Sequence, residues 1–400
     1  MIDRFGSPKT YASWALLPLL LGTLAIAGCE TDGYPEAMTY PNRTDPLVVG
    51  KPDKDAPAQD RPGEYPKVLF PYLDDRDKYL LDPAKVSADQ RRQLGEELTN
   101  IFGTPAHPKV SGGPSELQGT LENLRTKLEL DDATLLHGSS MYRQQCLHCH
   151  GLTGDGRGAT SPWVNPHPRD YRLGRFKFTS SKQDEGRRKP RREDLIRTIY
   201  EGIEGSSMPT FRMLTTPEIE ALASYVIHLS LRGEMEYSIL VAADKGELDG
   251  GVTGGVKDYL EVIGKNWLDA QQSLIQPEMI PPANMTDAQM TESVRNGMRL
   301  FTTGKASCIS CHTDFGRQSA FKFDAWGTVT RPIDLTLGIY HGGRRPIDLF
   351  WRIHSGVNGS GMTAFGSQVS SKDIWDIVHF LQVLPYPGMR QKYDIKLENN

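Results

Sequence analysis

The sequence predicts an all-α fold made of two related helical units, preceded by a partly extended N-terminal segment. Apolar residues recur at helical spacing in several stretches, and loops rich in glycine and proline separate these stretches. A pentapeptide of the form Cys-x-x-Cys-His follows a helical stretch twice, at Cys146–His150 and at Cys308–His312. The 400 residues suffice for two or three domains, and 38% of them are apolar, enough for ordinary hydrophobic cores.

The first 28 residues have the pattern of a signal peptide. Arg4 and Lys9 are basic, and the apolar run from Trp14 to Ala27 is too short to favour a membrane-spanning helix. The residues before Cys29 resemble a bacterial lipobox, which implies cleavage after residue 28 and lipid attachment to the Cys29 thiol. A simple secretory signal or an uncleaved anchor are the alternatives.

The expected location follows from this leader. The chain is predicted to be exported and held on the periplasmic side as a lipoprotein, anchored to a membrane that it does not span. The sequence leaves open which membrane this is. The formal net charge of −4 does not indicate nucleic-acid binding.

Residues 29–130 are predicted to be a proline-rich tether followed by a helical extension. Few apolar runs occur in residues 30–75, which favours an extended segment lying along the folded part. Ser87 begins a capping-box pattern, and the helix that it caps is predicted to end at Phe102. A second helix is predicted over Leu117–Leu130. No chemistry is assigned to this extension.

The rest of the chain divides into two units, a connector and a tail. The predicted boundaries are 131–232 for the first unit, 233–285 for the connector, 286–386 for the second unit and 387–400 for the tail. A helix capped by Asp131 or Asp132 is expected to run into Cys146, and Gly250–Gly255 is expected to be a flexible break. Further helices are predicted over Arg192–Ile203, Pro217–Leu231, Val256–Leu274 and Lys372–Leu384.

The two pentapeptides have the attachment signature of c-type haem. The cysteines of each pair are spaced for two thioether bonds to haem vinyl groups, and the next histidine is placed to ligate the iron. The predicted cofactor is therefore two covalently bound haem c groups, held by Cys146, Cys149, Cys308 and Cys311, with His150 and His312 as iron ligands. A Cys₄ zinc site is the alternative, but the two pairs are too far apart for a compact zinc ribbon, and zinc does not require the histidines.

An internal repeat extends beyond the pentapeptides. The stretch Asp194–Phe211 matches Asp348–Phe365 at one constant offset without a gap, as expected of a duplicated domain. Met208 and Met362 occupy the same place in it, and a thioether is a soft ligand that suits haem iron, so the repeat predicts both as the second axial ligands. A methionine is more often core filler. The rival ligands are Met213, His167, His341 and His354.

With these features, each unit resembles a class I cytochrome c domain. Gly138 and Gly297 on the first helix match the family pattern, and Tyr225 and Phe380 on the last helix are the aromatic residues expected to cross against them. The resemblance covers about half of the chain. It implies tandem, small, all-helical domains with histidine and methionine as axial ligands.

Two sets of basic residues are candidates for binding a partner protein or the haem propionates. The first unit has a longer segment before Asp194 than the second has before Asp348, and it contains six basic residues between Lys182 and Arg192. Such a loop can steer an acidic redox partner, although a charged run is more often merely solvated. The candidates for pairing with haem propionates are Arg172, Arg175, Arg344 and Arg345.

Irons closed by histidine and methionine leave no position for a substrate, which favours electron transfer. The chain is predicted to be a membrane-tethered dihaem cytochrome c that carries single electrons from a quinol-oxidising complex or dehydrogenase to a terminal oxidase or reductase, either freely or as a fixed respiratory-complex subunit. The alternative is a dihaem redox enzyme of the cytochrome c peroxidase type, which Met208 and Met362 argue against. A redox sensor or assembly factor is a third hypothesis.

Overall fold

The structure, a computed structural model, describes residues 33–50, 78–182, 184 and 187–397. Helices dominate this part of the chain, and its strands are short, so the prediction of an all-α fold is confirmed. The predicted signal peptide and Cys29 lie outside the described residues. None of the helices described is both long enough and apolar enough to span a membrane.

The helices are α1 (Ala88–Phe102), α2 (Gln118–Lys127), α3 (Asp132–Gln145), α4 (Leu147–His150), α5 (Arg192–Glu201), α6 (Thr216–Lys245), α7 (Gly251–Gln272), α8 (Asp287–Thr302), α9 (Pro346–Ser355), α10 (Ser371–Val383) and α11 (Pro387–Lys392). Two antiparallel strand pairs accompany them, β1 (Leu47–Val48) with β2 (Leu80–Leu81) and β3 (Lys322–Phe323) with β4 (Val329–Thr330). In register, Leu47 faces Leu81 and Lys322 faces Thr330.

Side-chain caps fix several helix starts where the sequence predicts them. The Ser87 hydroxyl accepts a hydrogen bond from the Gln90 amide at 3.2 Å ahead of α1. Asp131, rather than Asp132, caps α3 by accepting from the Thr134 amide at 3.0 Å. Each cap satisfies an amide that the first helical turn leaves unpaired, which stabilises the helix by about 1 kcal/mol.

Two secondary-structure predictions around the connector are wrong. Helix α6 continues past Leu231 to Lys245, because Met235 and Ile239 lie in the hydrophobic core and their burial stabilises the additional turns. The glycine run is not a flexible break, since Gly251 begins α7. A Cβ on Gly255 would lie only 2.7 Å from the Leu248 side chain, so close packing outweighs the low helix propensity of glycine.

The N-terminal segment contributes to the core. Residues 33–50 lie along the folded part, as predicted, but Tyr40 and Leu47 are buried in the same core as α6. The hydroxyls of Tyr40 and Tyr225 are 2.8 Å apart, and the Arg43 amide donates to Glu236 at 2.7 Å. The expectation that this segment has too few apolar residues to join a core is therefore wrong.

Two large hydrophobic cores organise the described residues. The first core is shared by the N-terminal segment, α1, α2, α3, α5, α6 and α7. The second core is built mainly from α8, α9 and α10. Each Cys-x-x-Cys-His pentapeptide lies at the edge of one core, because Cys146 packs against the first and Cys308 against the second.

Two candidate haem-binding sites

The helix before each pentapeptide crosses the last helix of its unit at a glycine. A Cβ on Gly138 would collide with the Ala221 carbonyl oxygen and lie 2.9 Å from the Tyr225 Cβ. A Cβ on Gly297 would likewise lie 2.9 Å from the Phe380 Cβ. The close crossings are as predicted, and they fix the ends of α3 and α8 from which the pentapeptides follow.

In the first pentapeptide, backbone hydrogen bonds form a turn that brings the two cysteines and the histidine close together. The amides of Cys149 and His150 both donate to the Cys146 carbonyl, at 3.1 and 2.9 Å. The Nδ1 of His150 donates to the Arg169 carbonyl at 3.2 Å, and the ring stacks on Tyr171 at a centroid distance of 4.7 Å. This bond leaves Nε2 as the basic nitrogen, which is the arrangement of a metal-ligating histidine.

The second pentapeptide repeats this geometry. The His312 amide donates to the Cys308 carbonyl at 2.8 Å, and the His312 Nδ1 donates to the Ile333 carbonyl at 3.3 Å. Sequence reasoning missed both carbonyl partners. The signal was present, because Arg169 and Ile333 stand at matching places after Pro168 and Pro332 in the repeat.

Burial shifts the pKa of the histidine and of two of the cysteines in these sites. It lowers the pKa of His150 to about 4, so the imidazole is neutral and able to ligate a metal near pH 7. It raises the pKa of the Cys146 thiol to about 12 and that of Cys308 to about 11. These thiols are therefore not the low-pKa thiolates typical of redox dithiols.

The two methionine loops share one backbone design. The Met208 carbonyl accepts from Ile203 at 3.2 Å and the Met362 carbonyl accepts from Val357 at 3.0 Å. The amides of the two methionines donate to matching serine hydroxyls, Ser206 at 3.2 Å and Ser360 at 3.1 Å. Met208 packs against the same core as Cys146, and Met362 against the same core as Cys308.

The rival ligands are placed differently. Met213 is 98% exposed. The Nδ1 of His167 donates to the Pro168 carbonyl at 3.0 Å, and His354 stacks on Phe350 at 5.8 Å. His341 approaches the opposite unit, within 3.1 Å of a Cβ placed on Gly205. The assignment of Met208 and Met362 as ligands stays a prediction, and their shared loop geometry favours it over these rivals.

The donor set fits haem c. Each site combines a spaced cysteine pair, a histidine held by its Nδ1 and a methionine beside an apolar core. Among the described residues, no three His, Cys, Asp or Glu side chains are grouped so as to hold a metal ion by themselves. The two cysteine pairs also border different cores, so they do not form the Cys₄ zinc site considered above.

Three basic residues of the predicted docking loop make internal contacts instead. Arg188, Lys189 and Arg192 are 5%, 1% and 8% exposed. Arg188 donates to the Ser355 carbonyl, Lys189 pairs with Glu234, and Arg192 pairs with Glu129 at 2.6 Å. The expectation of a positive loop facing a partner is therefore wrong for these three residues, because carboxylates distant in sequence pair with Lys189 and Arg192 and a distant carbonyl binds Arg188.

Two of the arginines proposed for the propionates are also engaged elsewhere. Arg172 is buried and makes bidentate bonds to Asp45 at 2.8 and 2.9 Å, and it also bonds Asp170. Arg345 is paired with Asp348 at 2.8 Å. Fork-shaped guanidinium pairing of this kind satisfies both arginines within the chain.

Comparison with family models matches residues 133–226 and 292–381 to the family described as cytochrome C oxidase, cbb3-type, subunit III. No curated protein matches the chain. Among solved structures, the chain is similar to one from the Kuenenia stuttgartiensis reducing HAO-like protein complex, at 24% identity and a TM-score of 0.46. That similarity covers 62% of this chain and 95% of the other. The two regions matched to the family fall within the two repeated units.

Proposed function

We propose that this chain, a c-type cytochrome with two cytochrome c domains, binds two haem c groups and carries single electrons between other redox proteins. A haem c in each site would supply a one-electron iron couple. The residues that would hold the first are Cys146, Cys149, His150 and Met208, and those for the second are Cys308, Cys311, His312 and Met362.

One observation carries the proposal. Each domain brings a methionine to the same core as its cysteine motif, on a loop with the same hydrogen bonds in both domains. A histidine and a methionine that both ligate the iron would close it to substrates, as in electron carriers rather than oxygen or peroxide enzymes.

The chain's own residues have two tasks in such a carrier. The hydrogen bonds from His150 to Arg169 and from His312 to Ile333 hold each imidazole in one orientation. The apolar cores keep water from one side of each site, while Cys149 is partly exposed and Cys311 is exposed. This exposed edge is where a redox partner can approach closely enough to exchange electrons.

The membrane and the partners belong to the same proposal. A lipid on Cys29 tethers the exported chain to a membrane on the periplasmic side. Electrons then come from a quinol-oxidising complex or a dehydrogenase and pass to a terminal oxidase or reductase, with the chain either free or fixed as a subunit. Cys29→Ala in the full chain is expected to move the cytochrome from the membrane to the soluble fraction, and retention in the membrane contradicts the tether.

Carbon monoxide and peroxide separate the carrier from the enzyme alternative. The fully reduced and half-reduced protein is exposed to carbon monoxide, and peroxide consumption is followed with an electron donor present. A carrier with two closed irons is expected to show little carbon monoxide binding and no sustained peroxide turnover. A peroxidase-type enzyme instead opens one iron in the half-reduced state and consumes peroxide steadily.

A further inference from the structure

The contact between the two domains brings several cations close together. Arg169 and Lys177 of the first domain both approach the same oxygen of Asp324, at 3.7 and 3.2 Å. The other oxygen of Asp324 already accepts bonds from the amides of Trp326 and Thr328, each at 3.0 Å. One shared oxygen therefore faces two positive charges.

Arg352 of the second domain adds a third cation. Its guanidinium donates to the carbonyls of His341 and Gly343, and no carboxylate of the described residues lies within ion-pair distance of it. Burial lowers the pKa of Arg352 to about 10, with Arg197 contributing, although Asp348 opposes the shift. Carbonyl bonds orient a guanidinium but do not neutralise its charge.

Lys177 and Arg352 both lie close enough to His341 to act on its ring, and Arg352 also bonds its carbonyl. Both cations lower the pKa of His341, after the larger effect of burial. Burial and Arg169 lower the pKa of Lys177 to about 8, and Asp324 only partly opposes this. Buried charges that lack full compensation are unfavourable, so the surroundings of Lys177 and Arg352 favour an additional anion.

These surroundings border both methionine loops. A Cβ on Gly205, in the Met208 loop, would lie 3.1 Å from the His341 Nε2. Trp326, which the Arg169 guanidinium covers at 3.7 Å, lies 2.5 Å from a Cβ placed on Gly359 in the Met362 loop. An anion beside both loops is therefore also beside both candidate haem sites.

We propose that Lys177 and Arg352 bind haem propionate carboxylates at the contact between the two domains. This inference rests on the proposed function, because the propionates are the anions that the two haem c groups would bring to these loops. It replaces the earlier assignment to Arg172 and Arg345, whose guanidinium groups are paired within the chain. The propionates then serve as counter-ions that help to hold one domain against the other.

The test compares Lys177→Met with Lys265→Met in the full haem-loaded protein. Lys265 is a matched lysine paired with Asp269 on the solvent-exposed side of α7. Resonance Raman spectra report the propionate bending band, and a redox titration reports the equilibrium constant for reduction. Lys177→Met is expected to shift the propionate band and to lower that constant about 3-fold or more, because a nearby positive charge is removed. Lys265→Met is expected to change neither.

A double variant separates propionate binding from a simple ion pair. Lys177→Met combined with Asp324→Asn removes both members of the ion pair. If Lys177 serves only to pair with Asp324, the double variant should show the wild-type propionate band. We expect the band to stay shifted, and a band that returns to the wild-type position overturns the proposal. A change in stability alone, with the band and the reduction equilibrium unchanged, also overturns it. Lys177→Arg keeps the charge and is expected to retain most of the wild-type signal.

Measurements on the wild-type protein distinguish failure of the propionate assignment from failure of the proposed function. Two covalent haems and two methionine-ligated irons in the wild type, with no effect of Lys177→Met, refute only the propionate assignment. A wild type without these haems refutes both.

Discussion

Arg197 and Trp351 occupy equivalent positions in the internal repeat, and they stack on each other with the guanidinium carbon 5.3 Å from the ring centroid. A second contact joins the two domains, because a Cβ on Gly342 would collide with the Phe178 ring. Contacts between equivalent residues are the signature of a two-fold relation between copies. The duplicated domains therefore meet through the same face, with α5 of one against α9 of the other.

The first prediction concerns this contact. Arg197 also pairs with Asp194 at 3.5 Å and Asp348 at 3.2 Å, and both carboxylates are almost fully buried. Arg197→Ala deprives them of a shared cation and is expected to lower the free energy of unfolding by about 3 kcal/mol. Chemical denaturation measures this, with Arg92→Ala as the control, since the Arg92 pairs are solvent-exposed and contribute little. Equal effects of the two substitutions contradict the account.

The second prediction concerns the helix crossings. Gly138→Ala places a methyl group against the Ala221 carbonyl and is expected to destabilise the fold by about 3 kcal/mol. Gly119→Ala is the matched control, because no atom lies within 4 Å of a Cβ at that helical position. That change is expected to be neutral or to stabilise by about 0.5–1 kcal/mol, from helix propensity. Thermal unfolding compares them, and a tolerated alanine at Gly138 contradicts the close crossing.

The third prediction concerns the sixth ligand. Met208→Ala is expected to open one iron to carbon monoxide and to lower its reduction potential, because a thioether favours the ferrous state. Met213→Ala is the control, since the Met213 side chain is 98% exposed. Carbon monoxide difference spectra of the reduced variants measure the opening. A normal Met208→Ala spectrum would assign the ligand to another residue.

The fourth prediction is a pH dependence from His228. Burial lowers the pKa of His228 to about 4, and its Nε2 donates to the Phe102 carbonyl at 2.8 Å. The unfolded chain takes up a proton below about pH 6.5, whereas the folded chain resists protonation until about pH 4. The contribution of His228 to stability is therefore fully present above pH 6.5 and falls by roughly 3 kcal/mol as the pH drops to 4.

Denaturation of the wild type and of His228→Gln across this pH range checks the fourth prediction. Glutamine can still donate to the Phe102 carbonyl but cannot take up a proton, so its stability is expected to decline less steeply with acid. Parallel curves for the two proteins contradict the assignment to His228.

The sequence is informative where chemistry depends on local spacing. The pentapeptides are local patterns, and the repeat appears when two stretches of the chain are compared. The family resemblance then supplies the glycines that cross Tyr225 and Phe380. The two regions that match a cytochrome c family confirm the interpretation of these patterns as two cytochrome c domains. The carbonyl partners of the histidines were accessible too, since they sit at equivalent places in the repeat.

The features that sequence reasoning missed depend on distant partners. From its sequence neighbours, Tyr40 is predicted to belong to a polar tether, but in the structure its hydroxyl contacts that of Tyr225. Lys189 looks solvated because its partner Glu234 lies in the next long helix. The extension of α6 depends on packing against α7 rather than on its own pattern. Tertiary burial decides each of these outcomes, and periodicity does not report it.

The central claim is that two haem irons are each closed by a histidine and a methionine. The far-red sulfur-to-iron band of the purified ferric protein tests it most directly, with the covalent haem content measured on the same sample. The account predicts two covalent haems per chain and a band of two-haem intensity. A band of one-haem intensity, or none, together with rapid peroxide consumption would contradict it.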